Sequence, residues 1–272
     1  MDEATARWLH AFTHRRRAAM PNLDTLDACP NEALDAARFI WHRRVVNETR
    51  SVELALKMQQ VATRMGAWGD AFAQAFVRLE EDEASHVELT TAILRKLDPP
   101  AINVPADATA VDLQKEPAAV SMMRLVLTGL CICESVSASR FASVREHTDL
   151  DGYRACIELF YRDELTHAEL GFVMLPHVLK VLRDELGMAR ADELVESELR
   201  TTLGYMDRVV GLDFERKGGT PPARPQPPRN PGVIEPALDA IAFYRSIHED
   251  VLPRLESLGI AAQKAWEKRS TG

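Results

Sequence analysis

Two segments of the chain share the pattern Asp-Glu-x-x-His: Asp163-Glu164-Leu165-Thr166-His167 and Asp82-Glu83-Ala84-Ser85-His86. On an α-helix, residues three positions apart lie on the same face, about one turn from each other. Each segment therefore offers one carboxylate and one imidazole to a single metal ion. One such pair is a weak signal, because Glu and His are common on solvated helix faces. A second copy, with Asp in the same position, favours a metal site, which would need further ligands from the rest of the chain.

The composition is that of an ordinary soluble protein, with 272 residues of which 46% are hydrophobic and 27% charged. The net charge of −8 argues against a nucleic-acid partner, which normally requires a basic surface. The four cysteines form no Cys-x-x-Cys pair, so we expect neither a zinc ribbon nor a rubredoxin-type iron site. The N-terminus lacks the apolar core of a signal peptide, and no stretch approaches about 18 uninterrupted apolar residues. We predict a cytoplasmic protein that does not span a membrane.

Long runs rich in Ala, Arg, Glu and Leu predict helices at about 31–65, 70–97, 117–146 and 151–185. Short turns join the first helix to the second and the third to the fourth. The polar, proline-bearing stretch 98–117 is long enough to carry the chain from one end of a bundle to the other. Two antiparallel hairpins joined by a long crossover predict an all-α, ferritin-like four-helix bundle. Pro176 is expected to kink or divide the fourth helix.

The chain extends beyond this bundle domain (31–186) at both ends. Residues 1–30 are predicted to form a covering helix at about 2–20 and a linker. Residues 187–272 are predicted to form a helical extension, with helices at about 189–211 and 236–268 separated by a Pro-rich linker at 217–236. The last helix could pack on the bundle or on a partner subunit, which leaves a homodimer open.

A metal site in such a bundle needs one further carboxylate from the first helix of each hairpin, at the height of the motif. Glu134 meets this condition, because the midpoint of 134 and 164 is 149, inside the predicted turn. Glu48 and Glu53 both meet it against Glu83, with midpoints of 65.5 and 68. Internal symmetry favours Glu53, since 30 residues separate 53 from 83 and 134 from 164. The helical wheel favours Glu48, which lies on the apolar face, whereas Glu53 lies on a basic arc. We choose Glu48.

Four glutamates then lie at the centre of apolar stripes: Glu48, Glu83, Glu134 and Glu164. Unpaired charges in such positions would cost several kcal/mol each. Two divalent cations would balance the four carboxylates if His86 and His167 are neutral. Mixed carboxylate and imidazole ligands suit iron or manganese, and the lack of thiolates argues against structural zinc. Asp82 and Asp163 are expected to accept a hydrogen bond from the second N–H of a ligand histidine, across the bundle.

With these residues the chain resembles the ferritin-like di-iron carboxylate superfamily over about 31–185: Glu48, Glu83-x-x-His86, Glu134, Glu164-x-x-His167. The paired Asp-Glu-x-x-His form is similar to that of the ribonucleotide reductase small subunit and the bacterial multicomponent monooxygenases. The resemblance implies two iron ions bridged by Glu83 and Glu164, with Glu48 and Glu134 more terminal. It also implies that O2 or peroxide is activated at the iron pair. It selects no single subfamily.

From this resemblance we expect a di-iron oxidase or oxygenase that acts on a small-molecule substrate with O2, with Glu83 and Glu164 as catalytic carboxylates. An external electron donor is left open, and manganese is an alternative to iron. Two other functions also stay open, namely a peroxide scavenger like rubrerythrin or manganese catalase and a non-enzymatic iron store like ferritin. Tyr161 is expected to belong to core packing. Four small residues would leave room for a substrate or allow close helix packing: Ser137, Ala138, Ala168 and Gly171.

Overall fold

The computed structural model describes residues 2–16, 18–27, 29–97, 115–215 and 229–269. Within these ranges every regular element is a helix and none is a strand, so the predicted all-α fold is confirmed. Most of the predicted crossover at 98–117 and of the Pro-rich linker at 217–236 lies outside the described residues.

Four long helices form the centre of the molecule. They are α2 (Asn31–Ala62), α3 (Ala67–Lys96), a continuous helix over Ala118–His147, and α6 (Asp151–Leu186). The third consists of α4 (Ala118–Arg124), a π-helical segment (Leu125–Glu134) and α5 (Ser135–His147). The bounds agree with the predicted ones to within a few residues. The π-helical segment was not predicted; it ends at Glu134, and π-helical turns are frequent at functional sites.

The long helices pack as two pairs. Helices α2 and α3 are antiparallel because only residues 63–66 join them, and the Ala118–His147 helix and α6 form the second antiparallel pair. The pairs meet where α2 contacts α4 and the π-helical segment, and where α3 contacts α6. Gly171 on α6 allows a close approach, since a Cβ atom there would lie 2.6 Å from Cβ of Leu130. Gly171 therefore serves helix packing rather than substrate space.

Pro176 was expected to kink or divide the fourth helix; α6 continues through it, so of these two outcomes the division is wrong. Proline removes one backbone hydrogen bond, but packing of the flanking turns can hold a helix together across it. The turns before and after Pro176 are buried in the core, with Leu175 and Val178 both fully covered. Burial of this apolar face outweighs the loss of one hydrogen bond.

The terminal elements differ more from prediction. Helix α1 (Glu3–Thr13) is shorter than predicted. Asp2 is its N-cap residue, and the Asp2 carboxylate accepts a hydrogen bond from the Thr5 N–H at 2.8 Å. Helix α7 (Met188–Val209) agrees with prediction. The stretch 236–268 is not one helix: it comprises α8 (Pro236–Ser246), a π-helical turn (Ile247–Val251), α9 (Leu252–Ser257) and α10 (Ala262–Glu267). The break before α10 contains Gly259, whose φ of +77° ends a helix at little cost.

These terminal helices pack on the same chain. Helix α1 contacts α3 and α6, α7 contacts α6 and α10, and α8 contacts α5. At the α5–α8 contact, Arg140 pairs with Asp239 at 2.6 Å and the Ser139 hydroxyl donates to the Ala242 carbonyl at 2.8 Å. The two helices therefore run antiparallel.

Among the described residues, two helices are long and apolar enough to cross a membrane by length and composition alone: Ala118–His147 and Asp151–Leu186. Inside the structure, 78% and 56% of their most apolar windows are buried. Helices in the core of a soluble protein meet the same criterion, so this finding alone does not place the chain in a membrane.

Candidate metal centre

The structure brings the six predicted ligands together in the core between the four long helices. Glu48 comes from α2, Glu83 and His86 come from α3, and the remaining three come from the end of the π-helical segment and from α6: Glu134, Glu164 and His167. All six side chains are buried, from His167 at 0% exposed to Glu48 at 6%. Ionisable groups buried so completely require partners.

The ligands form two overlapping groups that share Glu83. One group is Glu48, Glu83 and His86, the other is Glu83, Glu134 and His167, and in each group the donor atoms lie within 4.8 Å of one another. Nδ1 of His86 lies 3.4 Å from a carboxylate oxygen of Glu48 and 3.4 Å from Oε2 of Glu83. Nδ1 of His167 lies 2.9 Å from Oε1 of Glu83. Each imidazole thus faces a different oxygen of the same carboxylate.

Glu164 lies between the two groups. Its Oε1 is 3.9 Å from Nδ1 of His86, and its carboxyl group adjoins that of Glu134. It therefore faces one ligand from each group.

Glu48, not Glu53, belongs to this cluster. Glu48 is buried and faces His86, whereas Glu53 is half-buried and is part of neither group. The symmetry argument for Glu53 is wrong because the two hairpins are not equivalent. A π-helical segment precedes Glu134 in the second hairpin, whereas α2 is α-helical throughout, so residue spacing does not transfer from one hairpin to the other.

Several buried atoms of the cluster make no hydrogen bond. They are both oxygens of Glu83, Nδ1 of His86, Oε2 of Glu164 and both ring nitrogens of His167. Buried polar atoms are nearly always satisfied, and those that are not call for an explanation such as an ion. Here the donors lie close together without hydrogen-bond geometry, as metal ligands do. The donor set of imidazole nitrogens and carboxylate oxygens, without a thiolate, fits iron or manganese.

Three of the four carboxyl groups hold their protons more tightly than an exposed glutamate does. Burial raises the pKa of Glu134 to about 7, and it raises the pKa values of Glu48 and Glu164 as well. Burial acts to lower the pKa of His167, but the neighbouring Glu83 carboxylate outweighs it and raises that pKa to about 9. Burial would likewise raise the pKa of Glu83, but the two imidazoles lower it to about 2. The cluster thus attracts positive charge strongly.

The two aspartates of the motifs face the histidines across the hairpins, and one of the two expected hydrogen bonds is formed. Nε2 of His86 hydrogen-bonds to Oδ2 of Asp163 at 3.2 Å. Nε2 of His167 lies 3.5 Å from Oδ2 of Asp82, which is a looser contact. In both cases Nε2 faces the aspartate, which leaves Nδ1 directed at the carboxylates of the cluster.

Arg15 links the two aspartates, although no pattern in the sequence indicates this role. Its Nη2 lies 2.7 Å from Asp82 and 2.9 Å from Asp163, and its Nη1 donates to the Thr166 hydroxyl at 2.9 Å. Arg78 also pairs with Asp82, at 2.7 Å. The spacing of four residues between Arg78 and Asp82 is a signal that could have found that pair. Nothing local marks Arg15, which lies 67 residues from Asp82.

Burial acts to raise the pKa of Asp82, but His167, Arg15 and Arg78 together lower it to about 2. The aspartate therefore stays ionised. An ionised acceptor makes the stronger hydrogen bond to an imidazole N–H.

Aromatic rings cover both imidazoles. The Phe160 ring lies 4.7 Å from His86, and the Phe12 ring of α1 lies 6.4 Å from His167 in an edge-on arrangement. These rings limit the access of water. Tyr161 is only half-buried: one side packs against the core, and the other lines a surface pocket. Its prediction as core packing is therefore only partly right.

No protein-family model, no curated protein and no solved structure matches this chain.

Proposed function

We propose that the chain is a non-haem di-iron oxidase or oxygenase whose four long helices form a ferritin-like four-helix bundle. The observation that carries this proposal is the sharing of Glu83 between two buried ligand groups. Two donor sets with one carboxylate in common suit two metal ions bound side by side. The carboxylate-rich donor set favours iron, and manganese is the alternative metal.

One ion would be held by Glu48, Glu83 and His86, and the other by Glu83, Glu134 and His167. Glu164 faces both groups and is the second candidate for a carboxylate shared by the ions. The four carboxylates would balance the charge of two Fe(II) ions while the histidines stay neutral. When bound, an iron pair supplies the electrons and the open coordination positions for the reduction of O2.

The surrounding residues prepare this site. Asp163 accepts a hydrogen bond from Nε2 of His86, so the proton of the neutral imidazole sits on Nε2 and the lone pair of Nδ1 faces the site. Asp82 faces Nε2 of His167 at 3.5 Å without a hydrogen bond and would orient that ring in the same way. Arg15 pairs with both aspartates and holds them in place. Such supporting contacts orient metal ligands and raise their basicity.

Metal analysis tests the site directly. The wild-type chain, expressed with added iron or manganese, should bind about two ions, as two-metal carboxylate bundles do. Glu48→Gln should lower the content to about one ion, because it removes a ligand from only one group. Glu53→Gln is the matched control on the same helix and should bind as the wild type does. A wild-type chain without bound metal, or equal effects of the two substitutions, would refute the site.

Oxygen consumption tests the reaction. The reduced iron protein should consume O2 in proportion to its iron and should remain small on a sizing column. Rapid disproportionation of hydrogen peroxide by the manganese-loaded protein would instead support a peroxide scavenger. A large cage that takes up many iron ions for each chain would support storage. Both results would count against the oxidase.

A further inference from the structure

A pocket of about 690 Å³ opens to the surface beside the metal centre. Ser135, which directly follows Glu134, lies in its wall. Ala138 and Ala168 also line it, and each lies one helical turn beyond a ligand, Glu134 or Glu164. The pocket therefore reaches the helix faces that carry these two carboxylates. The pocket is lined at this position by small side chains.

Two buried hydroxyl groups in the pocket have no hydrogen-bond partner among the described residues. Ser135 and Ser246 are each 4% exposed, and neither hydroxyl makes a hydrogen bond. Ser135 lies one turn before Ser139, and Ser246 lies one turn after Ala242. Because Ser139 bonds to Ala242 and the two helices are antiparallel, Ser135 and Ser246 lie opposite each other. Buried hydroxyls that line a cavity without partners indicate a place for a polar group of a ligand.

Two charged groups at the rim also have no ion-pair partner in the part of the chain that the structure describes. Arg245 and Glu249 lie one turn apart on the same side of the helix, and among the described residues neither has an oppositely charged atom within 4.0 Å. Arg254, the other cation of the pocket, is already paired with Glu169 at 2.5 Å and lies 3.7 Å from Asp250. Among the described residues, the pocket thus offers one positive and one negative group that have no ion-pair partner and lie one helical turn apart.

We propose that this pocket binds an α-amino acid with an apolar side chain. Its carboxylate pairs with Arg245 and its ammonium group with Glu249. The hydroxyls of Ser135 and Ser246 bond to the same head group. Trp8, Tyr161 and Leu165 form an apolar wall for the side chain. This assignment names the substrate class of the proposed oxidase and rests on that function, but the pocket can be tested without metal.

Three probes share a phenyl ring but differ in their charged groups: L-phenylalanine, 3-phenylpropanoate and 2-phenylethylamine. Binding to the full chain is measured by calorimetry or ligand-observed NMR, once with metal removed and once with iron. L-Phenylalanine should bind about tenfold more tightly than either singly charged probe, which corresponds to one additional charge-assisted contact. Equal binding of the three probes, or binding of none, would overturn the proposal.

Substitutions at the rim assign each charge. Arg245→Gln should weaken L-phenylalanine and 3-phenylpropanoate about tenfold and leave 2-phenylethylamine unchanged. Glu249→Gln should weaken L-phenylalanine and 2-phenylethylamine but not 3-phenylpropanoate. Arg190→Gln is the matched control, since Arg190 is an exposed arginine paired with Glu193 outside the pocket. A loss in Arg190→Gln as large as that in Arg245→Gln would contradict the assignment.

Failure of the pocket proposal can be distinguished from failure of the di-iron proposal. A chain that binds L-phenylalanine but no iron keeps the pocket and refutes the di-iron function. A chain that binds iron but none of the probes keeps the metal centre and refutes the pocket.

Discussion

The metal-free protein should become more stable when Glu134 loses its charge. This side chain is 5% exposed, and burial raises its pKa from 4.5 to about 7. A carboxyl group whose pKa is higher in the folded state binds its proton more tightly there than in the unfolded chain. Its contribution to stability is therefore fully present below pH 4.5, falls as the pH rises towards about 7, and is constant above that.

The size of the effect follows from the two pKa values. The interval between 4.5 and about 7 corresponds to about 3 kcal/mol, at 1.36 kcal/mol for each pH unit. Glu134→Gln preserves the shape of the side chain and removes the titration. The metal-free variant should thus be about 3 kcal/mol more stable than the wild type at pH 8, and less than about 1 kcal/mol more stable at pH 5. In a chain of this length, 3 kcal/mol raises Tm by about 6 °C.

The assay is thermal unfolding of chelator-treated protein at both pH values, with Glu53→Gln as the control. Addition of Fe(II) or Mn(II) should then reverse the order at pH 8, because the metals stabilise the wild type and act less on Glu134→Gln. The reasoning would be refuted by a metal-free variant no more stable than the wild type at pH 8. It would also be refuted by a control that gains as much.

Three further substitutions test separate contacts. Arg15→Gln should lower the affinity for Fe(II) or Mn(II) at least about tenfold in equilibrium dialysis, because it breaks the bridge between Asp82 and Asp163. The control Arg7→Gln changes an exposed ion pair of α1 and should leave the affinity unchanged. Glu83→Gln should remove both ions rather than one, since both groups share this carboxylate, and a metal content of one ion would contradict the sharing. Gly171→Ala should lower the free energy of unfolding by about 1–3 kcal/mol, because the new Cβ would lie 2.6 Å from Cβ of Leu130. An unchanged Tm would contradict this and would show that the helices can move apart.

Local patterns in the sequence determined the all-α fold and five of the six residues of the cluster without ambiguity. Helical periodicity is a property of neighbouring residues, so it places Glu83 and His86 on one face without knowledge of the partner helix. The same reasoning decided between Glu48 and Glu53. The position of each glutamate on its helical wheel was more informative than the equal residue separation of 30 in the two hairpins.

Tertiary structure decided what the ligands contact outside the cluster. The bridge from Arg15 to Asp82 and Asp163 joins three parts of the chain that are far apart in sequence, and no local pattern encodes such a distance. The pocket between α5, α6 and α8 likewise exists only because the C-terminal helices pack on their own chain. Secondary structure arises from hydrogen bonds between near neighbours. The surroundings of a buried charge depend instead on which surfaces the chain brings together, and that is settled by the packing of the whole molecule.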